Sequence, residues 1–242
     1  NEKIAKGEFK KADLISDFMD EKHPRKYIEG KDISRYSINR IRYFEYGTKR
    51  SPAKLRCQTF PEWYEVPKIF LNRVGIMSVA LDVENRIIHN ETIIGLALWK
   101  DLKKIKNQSI CGSITRFSNY PREKMEQFSE KVTLYYILAI LNSKYGAYLL
   151  KVQRSGGLTT YSGHIRNLPI PIAPPKEMET LSDCAKTQLE LHAKLKDARL
   201  ETERTAIQTA INALDAKIDN VVFQIYGLTQ DEIEQLTPST RR

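Results

Sequence analysis

Hydrophobic and polar positions change register several times along the chain, and each change predicts an element. Ile38-Asn39-Arg40-Ile41-Arg42-Tyr43 alternates apolar with polar or basic residues, which predicts a strand with one cationic face. Val66 to Leu71 is a short apolar run opened by Pro67, which predicts a strand beginning at a sheet edge. Asn72 to Gly75 reads as a loop. Met77 to Val83 and Arg86 to His89 read as two strands joined by a turn at Glu84-Asn85. Glu91 to Trp99 is another apolar stretch, and Lys100 to Ser109 a polar, basic loop. Short strands with frequent turn signals predict a compact, irregular β fold.

The period then shifts from two to that of a helix. Val132, Tyr135, Tyr136, Leu138, Ala139, Leu141, Asn142, Tyr145, Leu149 and Leu150 give an apolar face at helical spacing, so Lys131 to Lys151 reads as the main helix of a first domain. Gly146 marks a kink or a close packing point within it. Val152 to Arg166, with Gly156-Gly157 and several hydroxyls, reads either as a ligand-facing loop or as a plain connection. Asn167 to Pro175 is forced into an extended form by its prolines.

Beyond the prolines, Leu191, Leu195 and Ala198 keep helical spacing, and Ile207, Ile211, Leu214, Ile218, Val221 and Ile225 follow a coiled-coil-like 4-3 pattern. The phase slips between Ala198 and Ile207. One long helix that changes partners and a helical hairpin both fit. Such a helix serves either to pack on its own domain or to dock another domain or chain. Gly227 suits a helix C-cap, and Thr229 to Glu232 matches a capping box. The expected class is α+β: an irregular mixed β domain with a docked helix over 1–175, then a helical spacer or docking region over 176–242.

Composition narrows the function classes. The chain has 242 residues and 41% hydrophobic content, enough to fill a core. No apolar run nears the roughly 18 residues that span a bilayer, and no secretory leader is evident. A first residue of Asn1 leads us to expect a piece of a longer protein. Cys57, Cys111 and Cys184 are odd in number and far apart, which predicts free thiols in a reducing cytoplasm.

Charge changes the picture most. Residues 1–180 hold 31 basic and 20 acidic side chains, a balance of +11, whereas 181–242 hold 8 and 10, a balance of −2. A basic body beside a near-neutral tail fits polyanion binding by the body. Within it, Arg35, Arg40, Arg42, Lys49, Arg50, Lys54 and Arg56 interleave with Tyr36, Tyr43, Phe44 and Tyr46. This run reads either as phosphate contacts or as a solvated sheet face. Amides near Gly156 and Gly157 could hold a phosphate, although the loop is neither a Walker A loop nor a dinucleotide fingerprint.

Catalytic signatures are missing from the sequence. There is no Asn-Pro-Pro-aromatic tetrad and no glycine-rich loop for S-adenosylmethionine. Asp82, Glu84 and Glu91 are clustered carboxylates, but no Glu-x-Lys follows them as a metal nuclease would require. His23, His89, His164 and His192 lack metal spacing.

The order of several segments resembles the TaqI-like C-terminal specificity domain of restriction–modification enzymes, which is similar to the target-recognition domains of type I specificity subunits. The segments are Tyr27 to Tyr36, Pro67-Lys68-Ile69, Leu138 to Lys144, Leu168-Pro169-Ile170-Pro171, and Ile218 to Thr229. The resemblance implies sequence-specific recognition of double-stranded DNA. It implies a partner, an adenine-N6 DNA methyltransferase or type II endonuclease module absent from this chain and docked through the C-terminal helices. That partner, not this chain, would carry S-adenosylmethionine. By segment it implies roles for Lys31 and Arg35 in the opening motif, Arg73 after the Pro-Lys-Ile strand, and Thr160, Tyr161 and His164 in the loop before Leu168. With the basic positions, the expected DNA contacts are Lys31, Arg35, Arg40, Arg42, Lys49, Arg50, Arg73, Arg154, Gly156, Gly157, Thr160, Tyr161, His164 and Arg166, with no catalytic or metal-binding residue. A stand-alone nuclease and a helical interaction scaffold with incidental basic charge remain as alternatives.

Overall fold

The fold is known from a computed structural model that describes residues 10–51, 61–83, 86–106, 110, 112 and 120–236. Lys54, Arg56, Cys57, Glu84 and Cys111 lie outside the described residues. The class is α+β. No helix among the described residues is long and apolar enough to cross a membrane.

Among the described residues, nine short strands form the β part: β1 (Ile15–Ser16), β2 (Arg25–Ile28), β3 (Ile33–Ser34), β4 (Ser37–Ile38), β5 (Arg42–Phe44), β6 (Lys68–Asn72), β7 (Val79–Asp82), β8 (Ile88–His89) and β9 (Ile93–Leu96). They pair as a sheet in the order β1-β5-β2-β8, a sheet β7-β6-β9, and the small hairpin β3-β4. The expected strand over 38–43 is broken: Ile38 ends β4 and Arg42 opens β5 of another sheet. β6 is central, not an edge, because Pro67 lies just outside it and every ladder amide is kept. β7 and β8 do not pair with each other. β7 lies on β6, and β8 runs parallel to β2, so β6 and β7 of the second sheet fall within the crossover between them while β9 follows β8.

Seven helices follow among the described residues: α1 (Arg122–Glu130), α2 (Leu134–Asn142), α3 (Lys144–Gln153), α4 (Ser162–Arg166), α5 (Pro175–Asp197), α6 (Glu201–Tyr226) and α7 (Gln230–Leu236). The helix expected over 131–151 is two helices that meet at Ser143. That residue ends α2 and caps α3, its Oγ accepting from Gly146 N at 3.0 Å. Gly146 is the close packing point, since a Cβ there would collide with the Ile140 carbonyl and sit 3.1 Å from Leu141 Cα. α2 is buried on all sides except at Tyr135, and so behaves as a core helix rather than an amphipathic one.

The tail is a hairpin. Contacts between α5 and α6 run antiparallel: Leu181 and Ile218 share a core, Gln188 Nε2 donates to Ile211 O at 3.1 Å, and Arg204 Nη1 reaches the Leu195 and Ala198 carbonyls at 3.4 and 3.3 Å. The last pair satisfies carbonyls that the end of α5 leaves open. The phase slip in the sequence is this turn. Gly227 at φ 65° closes α6, with Leu228 N bonded to Phe223 O at 3.0 Å, and Thr229 and Glu232 form the box that opens α7.

One core crosses the proline segment. It joins Ile69, Leu71 and Val79 of the three-stranded sheet, α2, Leu181, Cys184 and Ala185 of α5, and Ile218 and Val222 of α6. The extended stretch 167–174 cannot pair in a sheet, so side chains take up its carbonyls. Tyr136 Oη donates to Pro171 O at 3.0 Å and Tyr226 Oη to Pro169 O at 2.7 Å.

At an ordinary helical glycine, alanine stabilises by about 0.5–1 kcal/mol. Gly146→Ala should instead lower stability by about 1–3 kcal/mol, because the added methyl overpacks the α2–α3 joint. The midpoint of urea denaturation reads the sign.

Candidate nucleic-acid interface

The basic residues of the sequence fall into two groups by what their guanidinium groups touch. In the first, carboxylates neutralise them. Arg42 bonds Asp32 at 2.7 Å and Glu29 at 3.1 Å, with 11% of its side chain exposed. Its guanidinium also lies over the Tyr27 ring. Arg35 grips Asp215 with both terminal nitrogens at 2.9 Å and donates to Asn142 O at 3.0 Å. Arg40 pairs with Asp17 at 2.7 Å, and Arg50 with Glu45. The arginines expected on the first strands are therefore paired with the chain's own carboxylates, Arg42 in a largely buried pair and Arg40 in an exposed one. Arg42 is largely buried between two carboxylates, and Arg35 is a fastener between the β part and α6. Lys49 stands exposed on the turn after Gly47.

The second group sits on two loops. Asn72, at the end of β6, organises the first loop: Nδ2 donates to Val74 O and Ile76 O, both at 2.8 Å, and Oδ1 accepts from Ser78 N at 2.7 Å. The second loop, 154–161, turns through Ser155 and Gly156, both at positive φ. The loops are stitched together by Thr160 N to Arg73 O at 2.6 Å and Gly75 N to Leu158 O at 3.1 Å. A bridge also pairs Val74 with Thr159.

Arg154 crosses the seam. Its Nη1 donates to Gly75 O at 2.9 Å and its Nη2 to Thr160 Oγ1. Arg73 reaches Glu91 O at 3.0 Å and Thr160 O at 3.4 Å, with its guanidinium 5.4 Å from the centre of the Tyr161 ring. His164 meets that ring edge-on. Both arginines thus bond neutral oxygens, and neither forms an ion pair with a carboxylate among the described residues. Burial pulls the Arg154 guanidinium below the ordinary arginine value. An arginine still holds its charge.

Several expected contacts change role. Thr160 is fully buried, so it ties the seam and reaches no ligand. The Gly157 amide donates to Arg154 O at 3.0 Å and is not available to a phosphate. Gly156 instead supplies the left-handed turn at φ 83°. Tyr161 is 55% exposed at the start of α4, and Arg166, at its end, is also exposed. Lys31, paired with Glu29 at 3.3 Å, lines a cleft of about 410 Å³ with Asn72, Val74 and Thr92. The contacts of Arg40, Arg42 and Arg50 involve neither of these two loops.

No known protein family's model matches the chain, and neither does any curated protein.

Sequence reasoning missed Asn72, Ile76 and Leu158. Asn72 is legible only as a polar residue closing an apolar strand, and its loop-organising role needs the turn that follows. Ile76 and Leu158 look like ordinary apolar residues, yet they are 90% and 71% exposed.

Of the carboxylates considered for a nuclease, Asp82 and Glu91 lie among the described residues. Asp82 is 1% exposed and accepts from Ile87 N at 2.6 Å. Opposite it in register, Lys68 is fully buried and donates to Val66 O at 2.8 Å. Among the described residues no group of three or more His, Cys, Asp or Glu converges. Burial pushes Lys68 down to about 8 from 10.5, although Asp82 opposes the shift.

Two outcomes test these assignments. Arg42→Met removes the cation paired with buried Asp32 and should cost on the order of 3 kcal/mol, whereas Lys49→Met should stay within about 0.5 kcal/mol; urea denaturation measures both. Lys68 also has a pH signature. Its ammonium is disfavoured by folding, so between pH 8 and 10.5 the unfolded chain holds more protons at this position. The contribution of Lys68 to stability should therefore rise with pH across that window, and Lys68→Met should remove the rise.

Proposed function

We propose that this chain reads duplex DNA as the specificity domain of a restriction–modification system. It would present its site to an adenine-N6 methyltransferase or endonuclease module that docks on the helical hairpin. The observation that carries the reading is the ridge made by loops 73–78 and 154–161. Two arginines there are bonded only to neutral oxygens, so their charge is uncompensated at an exposed edge beside Tyr161, Lys151 and Arg166. Elsewhere, Arg35, Arg40, Arg42 and Arg50 spend their charge on carboxylates. The likeness to TaqI-like specificity domains in segment order adds to this, as does the basic balance of residues 1–180.

The mechanism is binding rather than turnover. Exposed basic groups on the ridge contact phosphates and fix the register, while Tyr161, His164 and neighbouring loop side chains meet base edges in the major groove. The ridge is held by backbone bonds and by Arg154, so little ordering is needed on binding. The early part of α6, from Glu201 to Ala210, is almost entirely exposed and polar, which leaves it open to a partner module. S-adenosylmethionine would belong to that module, in a bacterial cytoplasm.

The chain should bind duplexes drawn from a random-sequence pool in a gel-shift assay, with affinity falling as salt rises at a log–log slope of about −3 or steeper. Charge reversal at Arg154, Lys151 or Arg166 should weaken binding at least about tenfold, and Lys217→Glu on α6 should not. A flat salt dependence, or equal losses at all four positions, would refute the assignment of the ridge.

A further inference from the structure

The ridge carries a second feature that phosphate contacts do not explain. Val74, Ile76 and Leu158 are 62%, 90% and 71% exposed, on two loops whose backbones touch. Loop tips are ordinarily polar, and scattered single apolar residues need no account. These three are contiguous: Val74 bridges Thr159, and Gly75 N is 3.1 Å from Leu158 O.

They are also held rigidly. Asn72 clamps the carbonyls of Val74 and Ile76, each at 2.8 Å, and Arg154 clamps the one between them, that of Gly75, at 2.9 Å. A branched aliphatic side chain fixed outward on a braced turn is shaped to be covered by a partner at little ordering cost.

The charges around the tip indicate which partner. Arg73 and Arg154 flank it, each with N–H groups beyond those its hydrogen bonds use among the five that a guanidinium carries. Lys151, one turn before Arg154, is exposed. An apolar tip with uncompensated cations on its flanks is complementary to a polyanion with an apolar interior, which describes stacked base pairs between phosphate strands.

We infer that Ile76 and Leu158 form a wedge that enters one base step of duplex DNA and opens its stacking, while Arg73 and Arg154 hold the phosphates on either side. The inference rests on the reading of the chain as a DNA-recognition domain and adds a mode to it. Prying open a step selects for sequences that unstack easily, so specificity would arise at a step that no hydrogen bond reads.

The test uses the whole chain and a duplex recovered by it from a random-sequence pool, with 2-aminopurine placed in turn at each position of the bound site. Fluorescence should rise severalfold at one step, where stacking is lost. The double variant Ile76→Ser/Leu158→Ser should abolish that rise and weaken binding roughly tenfold, the scale of removing apolar carbons from a buried contact. Both positions are exposed, and an unchanged thermal melt confirms the fold of the variant. Binding with no fluorescence rise at any position, or a rise that survives the double variant, overturns the wedge and leaves DNA recognition intact. Failure to recover any duplex overturns both.

Discussion

The turn Arg35-Tyr36 is the constraint on which the rest of the structure depends. It is the two-residue link between β3 and β4, and Tyr36 adopts φ 55°, a conformation that L residues rarely take. The cost is offset by what the turn reaches. Tyr36 is buried in the main core against His192 of α5, its amide bonds Val79 O at 2.9 Å, and Arg35 spans Asn142 O and Asp215. One dipeptide of the β part is thereby wedged between α2, α5 and α6. Asp219, beside it on α6, receives the Lys144 amide at 2.9 Å and closes the same junction from the start of α3.

This junction determines where the ridge can be. The hairpin and α2 hold the face of β6 and β7 that carries Leu71 and Val79, and the β6–β7 loop projects beyond it. α3 leaves the Ser143 joint in a direction set by Gly146 and delivers residues 154–161 against that loop. The arrangement of Arg73 and Arg154 is thus a consequence of helix packing. Two loops separated by some eighty residues meet because the elements that carry them share one core.

Much of the fold was legible in the residues. The apolar strand expected over 66–71, the prolines of 167–175, the Gly227 cap and the Thr229–Glu232 box lie where local chemistry put them, because each depends on neighbours a few positions away. The errors had a common cause. The strand expected over 38–43 broke, the helix over 131–151 split at Ser143, and β7 and β8 went to different sheets. In each case a distant partner outweighed the local pattern: Asp32 and Glu29 for Arg42, Asp219 for the Lys144 amide, β2 for Ile88.

The same division holds for the candidate site. Sequence alone determined the α+β class, the basic balance of the first 180 residues, the helical tail with its phase slip, and the set of cations from which an interface could be built. Only the tertiary structure decided that the slip is the turn of a hairpin, that Arg35 and Arg42 are spent on carboxylates, and that Arg73, Arg154, Ile76 and Leu158 stand together on one edge. The physical reason is that charge and periodicity are properties of a residue and its neighbours in sequence. Whether a charge is neutralised, or an apolar side chain covered, depends on groups that only folding brings near.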